Sequence, residues 1–391
     1  MKKIAIISFF HYETSLCLAK YMAMQGIKVD YYAVVDYLRD NGRVSGFEYP
    51  KASKHIGLHL LTAEEVPEIY TYTEGLNVKY HLLRILSYSK KLQFFSLLTI
   101  RSIMGKIRQR RYDAINIVGQ HPWVECIHEQ LKNENITHTL HEVGSHQNDT
   151  TITPLINKLI SDKAKVIFPS KSTANRFMSI IGSEKCHTAI IPFGKMETLL
   201  LYNKDVKIPL TIDTNKPTFL FYGFLKPYKG LDLLAKAMGE LKDYYDKFNL
   251  IIAGGGSDSN LPFFQSLPNC DVINRYLSNE EMMKLNKLAK AVLLPYKSAS
   301  QSGIVTNTFL YDKPIIGTKV GALLETIADK RNGLLVERED CKGFASAMKL
   351  VLNDKELYTR LCQGARDFGH SDNYDWNKIS SMTIGFLLEH K

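Results

Sequence analysis

Two lysines, a run of glycines and a small polar loop have the types and spacing to hold an anion. Lys226 and Lys229 fall in the turn Gly223-Phe224-Leu225-Lys226-Pro227-Tyr228-Lys229-Gly230, between an apolar run at 218–222 and a helical pattern at 231–242. Lysines on a strand-to-helix turn reach a phosphate as point charges. Gly254-Gly255-Gly256 ends the apolar run 248–254, and glycines there allow close backbone approach, although a flexible turn would carry the same residues. The loop Ser298-Ala299-Ser300-Gln301-Ser302-Gly303 follows the apolar run AVLLP and precedes a helical run broken at Asp312-Lys313-Pro314. A helix opening at Ser302-Gly303 would direct free N–H groups and a positive dipole end towards an anion such as a diphosphate. Two ordinary crossovers of a buried sheet would read the same way. In the first half, His141-Glu142-Val143-Gly144-Ser145-His146 ends the strand pattern 137–140. Either histidine could bind a hydroxyl or act as a base, or simply cap a loop. Their spacing is not that of metal ligands on a helix, no cysteine stands nearby, and no metal site is expected.

These groups need a scaffold, and the apolar pattern supplies it. Runs at 2–8 and 28–35 flank a helical pattern at 15–26, a β-α-β opening that argues for a parallel sheet. The loop between, Phe9-Phe10-His11-Tyr12-Glu13-Thr14, has no glycine and is not a dinucleotide fingerprint. Further strands are expected at 112–118, 137–140, 164–169 and 188–192, and a short one within 49–60. In the second half they fall at 218–222, 248–254, 272–274, 314–318 and 333–336. Ser170 and Ser278-Asn279-Glu280-Glu281 read as helix caps. A chain of 391 residues exceeds one core, so two domains are expected, joined through the polar, proline-punctuated segment 203–216.

Composition narrows the classes. The six cysteines are scattered singly, without C-x-x-C spacing, which fits a reducing cytoplasm and neither a disulfide scaffold nor a zinc module. The N-terminal apolar run is short and meets His11 and Glu13, so it reads as a buried strand rather than a leader. No run of about 20 apolar residues spans a membrane. The net charge of +10 is uneven: 25 Lys+Arg against 17 Asp+Glu in residues 1–195, and 25 against 23 in the remainder. The first half could therefore meet a phosphate-bearing acceptor, an anionic membrane surface or nucleic acid. Residues 79–103 and the basic stretch after them read as an amphipathic basic helix pair, able to lie on an anionic membrane or to pack with its charges in water. No interleaved aromatic–basic module of known geometry appears, so nucleic acid ranks low.

The order of motifs resembles retaining glycosyltransferases of family 4 (glycosyl transferases group 1). The matching pieces are YGFLKPYKGLDLLAKAM at 222–238, IIAGGG at 251–256, VINRYLSNEEM at 272–282, the stretch 294–327 and NGLLVE at 332–337. NYDWNKIS at 373–380 resembles the aromatic start of the family's returning helix, TLHEVGSH at 139–146 its acceptor loop, and AIIPFGK at 189–195 its domain-joining segment.

The resemblance implies the α/β GT-B fold: two Rossmann-like parallel-sheet domains facing each other across a cleft, with a C-terminal helix crossing back. The domains would be 1–195 for the acceptor, 196–372 for the nucleotide sugar, and 373–391 for the returning helix. It implies transfer of a sugar with retention, without metal or other cofactor, to a saccharide acceptor on a lipid at the inner membrane face, in surface polysaccharide or lipopolysaccharide assembly.

Among the residues, it implies catalytic roles for Lys229, Lys226, His141 and Glu142. Donor binding would fall to Gly223, Gly255, Gly256, Asn274, Arg275, Gln301, Ser302, Gly303, Ile304 and Asn307, and acceptor binding to His11, His121 and His146. The chain departs from the pattern in three places. Phe224 replaces the arginine usual after the glycine of the turn, with Lys226 as a substitute charge. Ala299 and Asn307 stand where two glutamates are expected, with Gln301 and Asn307 as polar replacements. A non-catalytic GT-B binding protein and a sugar-nucleotide epimerase of the same fold are the competing functions.

Overall fold

The computed structural model describes residues 1–39, 43–44, 47–48, 55–87, 92–143, 154–182, 186–201, 204–300, 302–371 and 373–389. They form two compact units, Met1–Leu201 with Asp372–Lys391, and Tyr202–Ser371. The segment Glu197–Leu201, assigned above to the second domain, packs on the first: Glu197 accepts hydrogen bonds from Tyr21 and Tyr72, and Thr198 contacts Cys17.

The first unit is built on β1 (Lys3–Ser8), β2 (Lys28–Asp36), β3 (Gly57–Leu60), β4 (Val78–Ile85), β5 (Ala114–Val118), β6 (Ile136–Thr139), β7 (Lys165–Phe168) and β8 (His187–Ile190). The sheet order is β8-β7-β6-β5-β1-β2-β4-β3, parallel except for the antiparallel edge pair β3–β4. Strands such as KIAIIS and AINIV are apolar at nearly every position because helices cover both faces. Residues 79–85, expected to be helical, form most of β4. The run buries both faces between β2 and β3, Arg84 included, and among the described residues only Gln93–Gln109 of the expected basic helix pair is a helix.

The second unit uses β9 (Thr218–Tyr222), β10 (Asn249–Ala253), β11 (Cys270–Ile273), β12 (Ala291–Leu294), β13 (Ile315–Thr318) and β14 (Gly333–Val336), in the order β11-β10-β9-β12-β13-β14. All pairs are parallel. The expected caps form: Ser170 accepts from Thr173 N, and Ser278 with Glu281 makes a full capping box.

In both sheets the order of the parallel strands reverses once, beside the first strand. The switch point lies between β1 and β5 in the first unit, and between β9 and β12 in the second. Loops leaving those strands diverge and open a crevice at the carboxyl edge, where ligands of such sheets bind.

The C-terminal helix Trp376–Leu388 belongs to the first unit. Trp376 Nε1 donates to Lys195 O at 2.8 Å, and Gly194 leaves the room, since a Cβ there would lie 2.6 Å from Tyr374 O. At the other end the fully buried Lys165 Nζ donates to Leu387 O at 2.9 Å, Glu389 O at 2.8 Å and Asn135 Oδ1 at 3.1 Å. A lysine here satisfies the last carbonyls of the helix and favours its negative dipole end. Replacing Lys165 by alanine removes three hydrogen bonds at the end of that helix, and Leu387 O keeps only the one from Asn135 Nδ2. The first unit is expected to lose about 2–4 kcal/mol in denaturant titration, with the second unit's transition unchanged.

Candidate functional site

In the second unit the switch point brings together the turn after β9 and the loop after β12. Lys229 is the buried lysine of the turn, 8% exposed. Its Nζ donates to Tyr296 Oη at 2.5 Å and lies 4.1 Å from the centre of the Tyr296 ring. Burial pushes the Tyr296 phenol well above its ordinary range, so this partner steadies the ammonium without cancelling its charge. Ser302 Oγ is buried beside Tyr296 and does not cap the helix Gly303–Phe309 that follows.

Gly223 has φ +112°, and a Cβ there would sit 3.0 Å from Ile304 Cδ1 and 3.9 Å from Lys229 Nζ. The missing side chain therefore keeps open the space beside the ammonium. Gly254, at φ +146°, touches the same turn, because a Cβ on it would meet Gly223 O at 1.9 Å. The loops are tied by backbone: Leu225 N to Gly255 O at 2.9 Å, Lys297 N to Tyr228 O at 2.8 Å and Ala322 N to Ala299 O at 2.9 Å. Lys229, Gly223, Gly255, Gly256, Ser302, Gly303 and Ile304 thus belong to one edge of the unit.

Other expected residues stand differently. Lys226 is exposed on the outer side of the turn, as is Phe224. Arg275 is bound to Glu281 through both terminal nitrogens, at 2.8 and 2.6 Å, so its guanidinium serves the capping box of the next helix; Asn274 is exposed beside it. Asn307, expected to face ribose hydroxyls, is 6% exposed. It lies on the buried side of its helix towards the Tyr222 hydroxyl, and its Oδ1 has no well-directed partner among the described residues. Ala299 is buried and its carbonyl is held by the 320–322 turn. Gln301 and His146 lie outside the described residues.

In the first unit the equivalent edge carries rings. His11, in the loop after β1, stacks on His141, after β6, with centroids 3.6 Å apart and planes 7° from parallel. Phe193 packs on His141 at 5.6 Å. His121 stacks on Phe9 at 5.3 Å, and its Nδ1 accepts from Trp123 N to cap the helix Pro122–Leu131. Three of the expected residues, His11, His121 and His141, are therefore on adjoining loops. Glu142 is exposed and accepts from Gln120 through its backbone carbonyl.

Burial pushes the His11 imidazole down to about 4, so it is neutral near pH 7 and can accept a hydrogen bond. Beneath His141 a cavity of about 40 Å³ is lined by Asn116, Thr139, Phe193 and Trp376. Asn116 Oδ1 accepts from Thr139 Oγ1 at 2.9 Å, while its Nδ2 has no partner among the described residues. Asn116, Phe193, Tyr222 and Tyr296 escaped the sequence reading. Each sits at or near the carboxyl end of a strand that was itself expected, which is the signal that would have found them. Among the described residues no three His, Cys, Asp or Glu side chains converge as metal ligands.

Comparison with known proteins places this geometry. Residues 203–368 match the family model described as Glycosyl transferases group 1. An uncharacterised glycosyltransferase of Methanocaldococcus jannaschii is 25% identical over 339 residues, 84% of this chain and 88% of that protein. Sucrose-phosphate synthase of Thermosynechococcus elongatus superposes with a TM-score of 0.66 over 98% of both chains at 16% identity. The Anabaena protein HepE, in complex with UDP and glucose, superposes with a TM-score of 0.61 over 100% of both chains at 13% identity. The two Rossmann-like parallel-sheet units with the C-terminal helix assigned to the first are the GT-B fold.

The His11 shift gives a pH dependence. Its folded value lies below the ordinary imidazole value of about 6.5, so the unfolded chain binds the proton first. The first unit is expected to lose stability as pH falls from about 6.5 to about 4 and to lose no more from this group below that. His11→Gln removes about 1–2 kcal/mol of that loss, the residue as a whole being half-buried, as read from denaturant midpoints at pH 7 and pH 4.5.

Proposed function

Starting from a second unit that is a group 1 glycosyltransferase domain, we propose that this chain is a retaining glycosyltransferase of family 4. The donor is a nucleoside-diphosphate sugar, and the acceptor is a saccharide on a lipid carrier at the cytoplasmic membrane face, as in surface polysaccharide or lipopolysaccharide assembly. The observation that carries the reading is the buried Lys229 ammonium, held by Tyr296 at the switch point with no side chain on Gly223 to fill the space beside it.

In this mechanism the diphosphate lies against Lys229. As the bond from the anomeric carbon to the phosphate oxygen breaks, negative charge grows on the leaving group, and a preorganised cation in a partly dry site stabilises that change. Fixed protein charge takes the part that a divalent metal has in other transferases. Gly255 and Gly256 accept the nucleotide by close backbone approach. His11 and His141, with Asn116 below, orient acceptor hydroxyls. The acceptor attacks from the face the phosphate leaves, and the departing phosphate oxygen takes its proton, which retains the configuration.

Ala299 and the buried Asn307 favour one other reading, a GT-B protein that binds a nucleotide sugar without turning it over. Donor turnover separates the two. A panel of nucleoside-diphosphate sugars is incubated with the protein, and free sugar and nucleotide are followed. The transferase is expected to release sugar slowly from one donor without acceptor, and Lys229→Ala to lower that rate by about 100-fold or more. Binding of a donor with no turnover, alone or with lipid-linked acceptors, would establish the binding protein instead.

A further inference from the structure

Under the stacked His11 and His141 rings lies a buried amide with half of its hydrogen bonding unmet. Asn116 sits mid-strand in β5, between Ile6 of β1 and Thr137 of β6, and is fully buried. Its Oδ1 accepts from Thr139 Oγ1 at 2.9 Å, which sets the orientation of the side chain. The Nδ2 group is left without a hydrogen-bond partner among the described residues. A buried amide N–H costs stability unless an acceptor stands beside it.

Asn116 lines the cavity of about 40 Å³ below His141. A water needs about 10–15 Å³ of such space and two to four polar partners. The space is too small for a sugar ring, and its walls supply the partners. Thr14 Oγ1 gives its own proton to His11 O at 3.2 Å and can still accept one. His141, stacked beneath His11, forms another part of the wall. Ser15 Oγ is already engaged with Ser8 Oγ, Tyr31 Oη and His11 O. Ile167 and Ile191 close the apolar side. An amide N–H can only donate, so a water beside Asn116 Nδ2 accepts from it and has both of its own protons left to give.

We propose that Asn116 is a positioning residue: through water held in this cavity it keeps the His141 imidazole in one neutral tautomer. The water accepts from Asn116 Nδ2. It donates one proton to the His141 nitrogen on the cavity side and the other to Thr14 Oγ1. That nitrogen then carries no proton, so the opposite nitrogen does. His141 therefore meets a ligand as a hydrogen-bond donor and not as a base. The same water ties the loop after β1 to the loop after β6. A donor at this place suits a transfer in which the departing phosphate oxygen takes the acceptor's proton. This last link rests on the proposed transferase reading; the water and the tautomer do not.

The test uses the full chain without substrate. Under xenon pressure the wild-type methyl signals of Ile167 and Ile191 are expected to stay in place, because a wet polar cavity does not take up the gas as a dry apolar one does. In protein labelled with nitrogen-15 histidine at neutral pH, the His141 ring is identified by the signals lost in His141→Gln. It is expected to show one protonated and one bare nitrogen. Asn116→Leu removes the donor and is expected to mix the two tautomers, drawing the two nitrogen shifts together. Asn116→Ser keeps a hydroxyl donor and retains the single tautomer. With a donor and acceptor in hand, Asn116→Leu is expected to lower kcat by about tenfold or more with the donor KM unchanged.

Xenon-induced shifts in wild type would overturn the proposal, and this arm needs no variant to fold. A wild-type His141 ring that is already a mixture of tautomers would overturn it too, as would the wild-type tautomer persisting in Asn116→Leu. A single tautomer that is lost in Asn116→Leu, in a protein that turns over no donor, would leave the positioning in place and remove only the transferase reading.

Discussion

A single reversal in the order of the parallel strands of each sheet is the constraint on which the rest of the structure depends. Crossovers from the first strand run to opposite sides of the sheet, so its loop and the loop of its new neighbour part at the carboxyl edge. In the second unit those loops carry Lys229 and Tyr296. In the first they carry His11 and His121. The chemistry-bearing side chains differ in kind, but one topological fact places both sets. What must then be controlled is how closely the diverging loops approach each other. Gly230, at φ +74°, does this in the second unit: a Cβ on it would meet Pro295 O at 1.8 Å, so backbone lies on backbone with no room for a side chain.

The two edges are suited to different work. At Lys229 a cation is held by a phenol and ring faces, which steady it and leave its charge intact. Such a group suits a ligand that arrives with negative charge and gains more as it leaves. At His11 and His141 the rings are stacked, and His11 is neutral through burial. That edge suits hydroxyls, with imidazole nitrogens and aromatic faces to orient a sugar. The C-terminal helix is part of the first unit through Trp376 at one end and Lys165 at the other, so the chain's last residues complete the fold that carries this edge.

Much of this was legible in the sequence, and the exceptions have physical causes. Buried parallel strands are apolar on both faces, so runs such as TFLFY and AINIV could be found without ambiguity. Residues 78–85 misled because VKYHLLRI places a histidine and an arginine in a strand, and its leucines fit a helical spacing as well. Only the buried partners of β4 decide the matter, and those lie far away in sequence. Lys229 was legible because lysine on a strand-to-helix turn has a specific use. Tyr296 was not, because an aromatic residue after a strand is ordinarily core. The pairing of Arg275 with Glu281 was hidden for a similar reason: the capping box was visible, yet nothing in the spacing showed that its glutamate also holds the arginine.

A Lys229 ammonium that receives a diphosphate must show itself in binding. The most direct measurement is a calorimetric titration of the full chain with a nucleoside, its monophosphate and its diphosphate, for wild type and Lys229→Met. The diphosphate is expected to bind wild type far more tightly than the nucleoside does, by about two orders of magnitude for a charge-assisted contact of about 3 kcal/mol. Lys229→Met is expected to remove most of that difference while nucleoside affinity is unchanged. Diphosphate binding of equal strength in both proteins would contradict it.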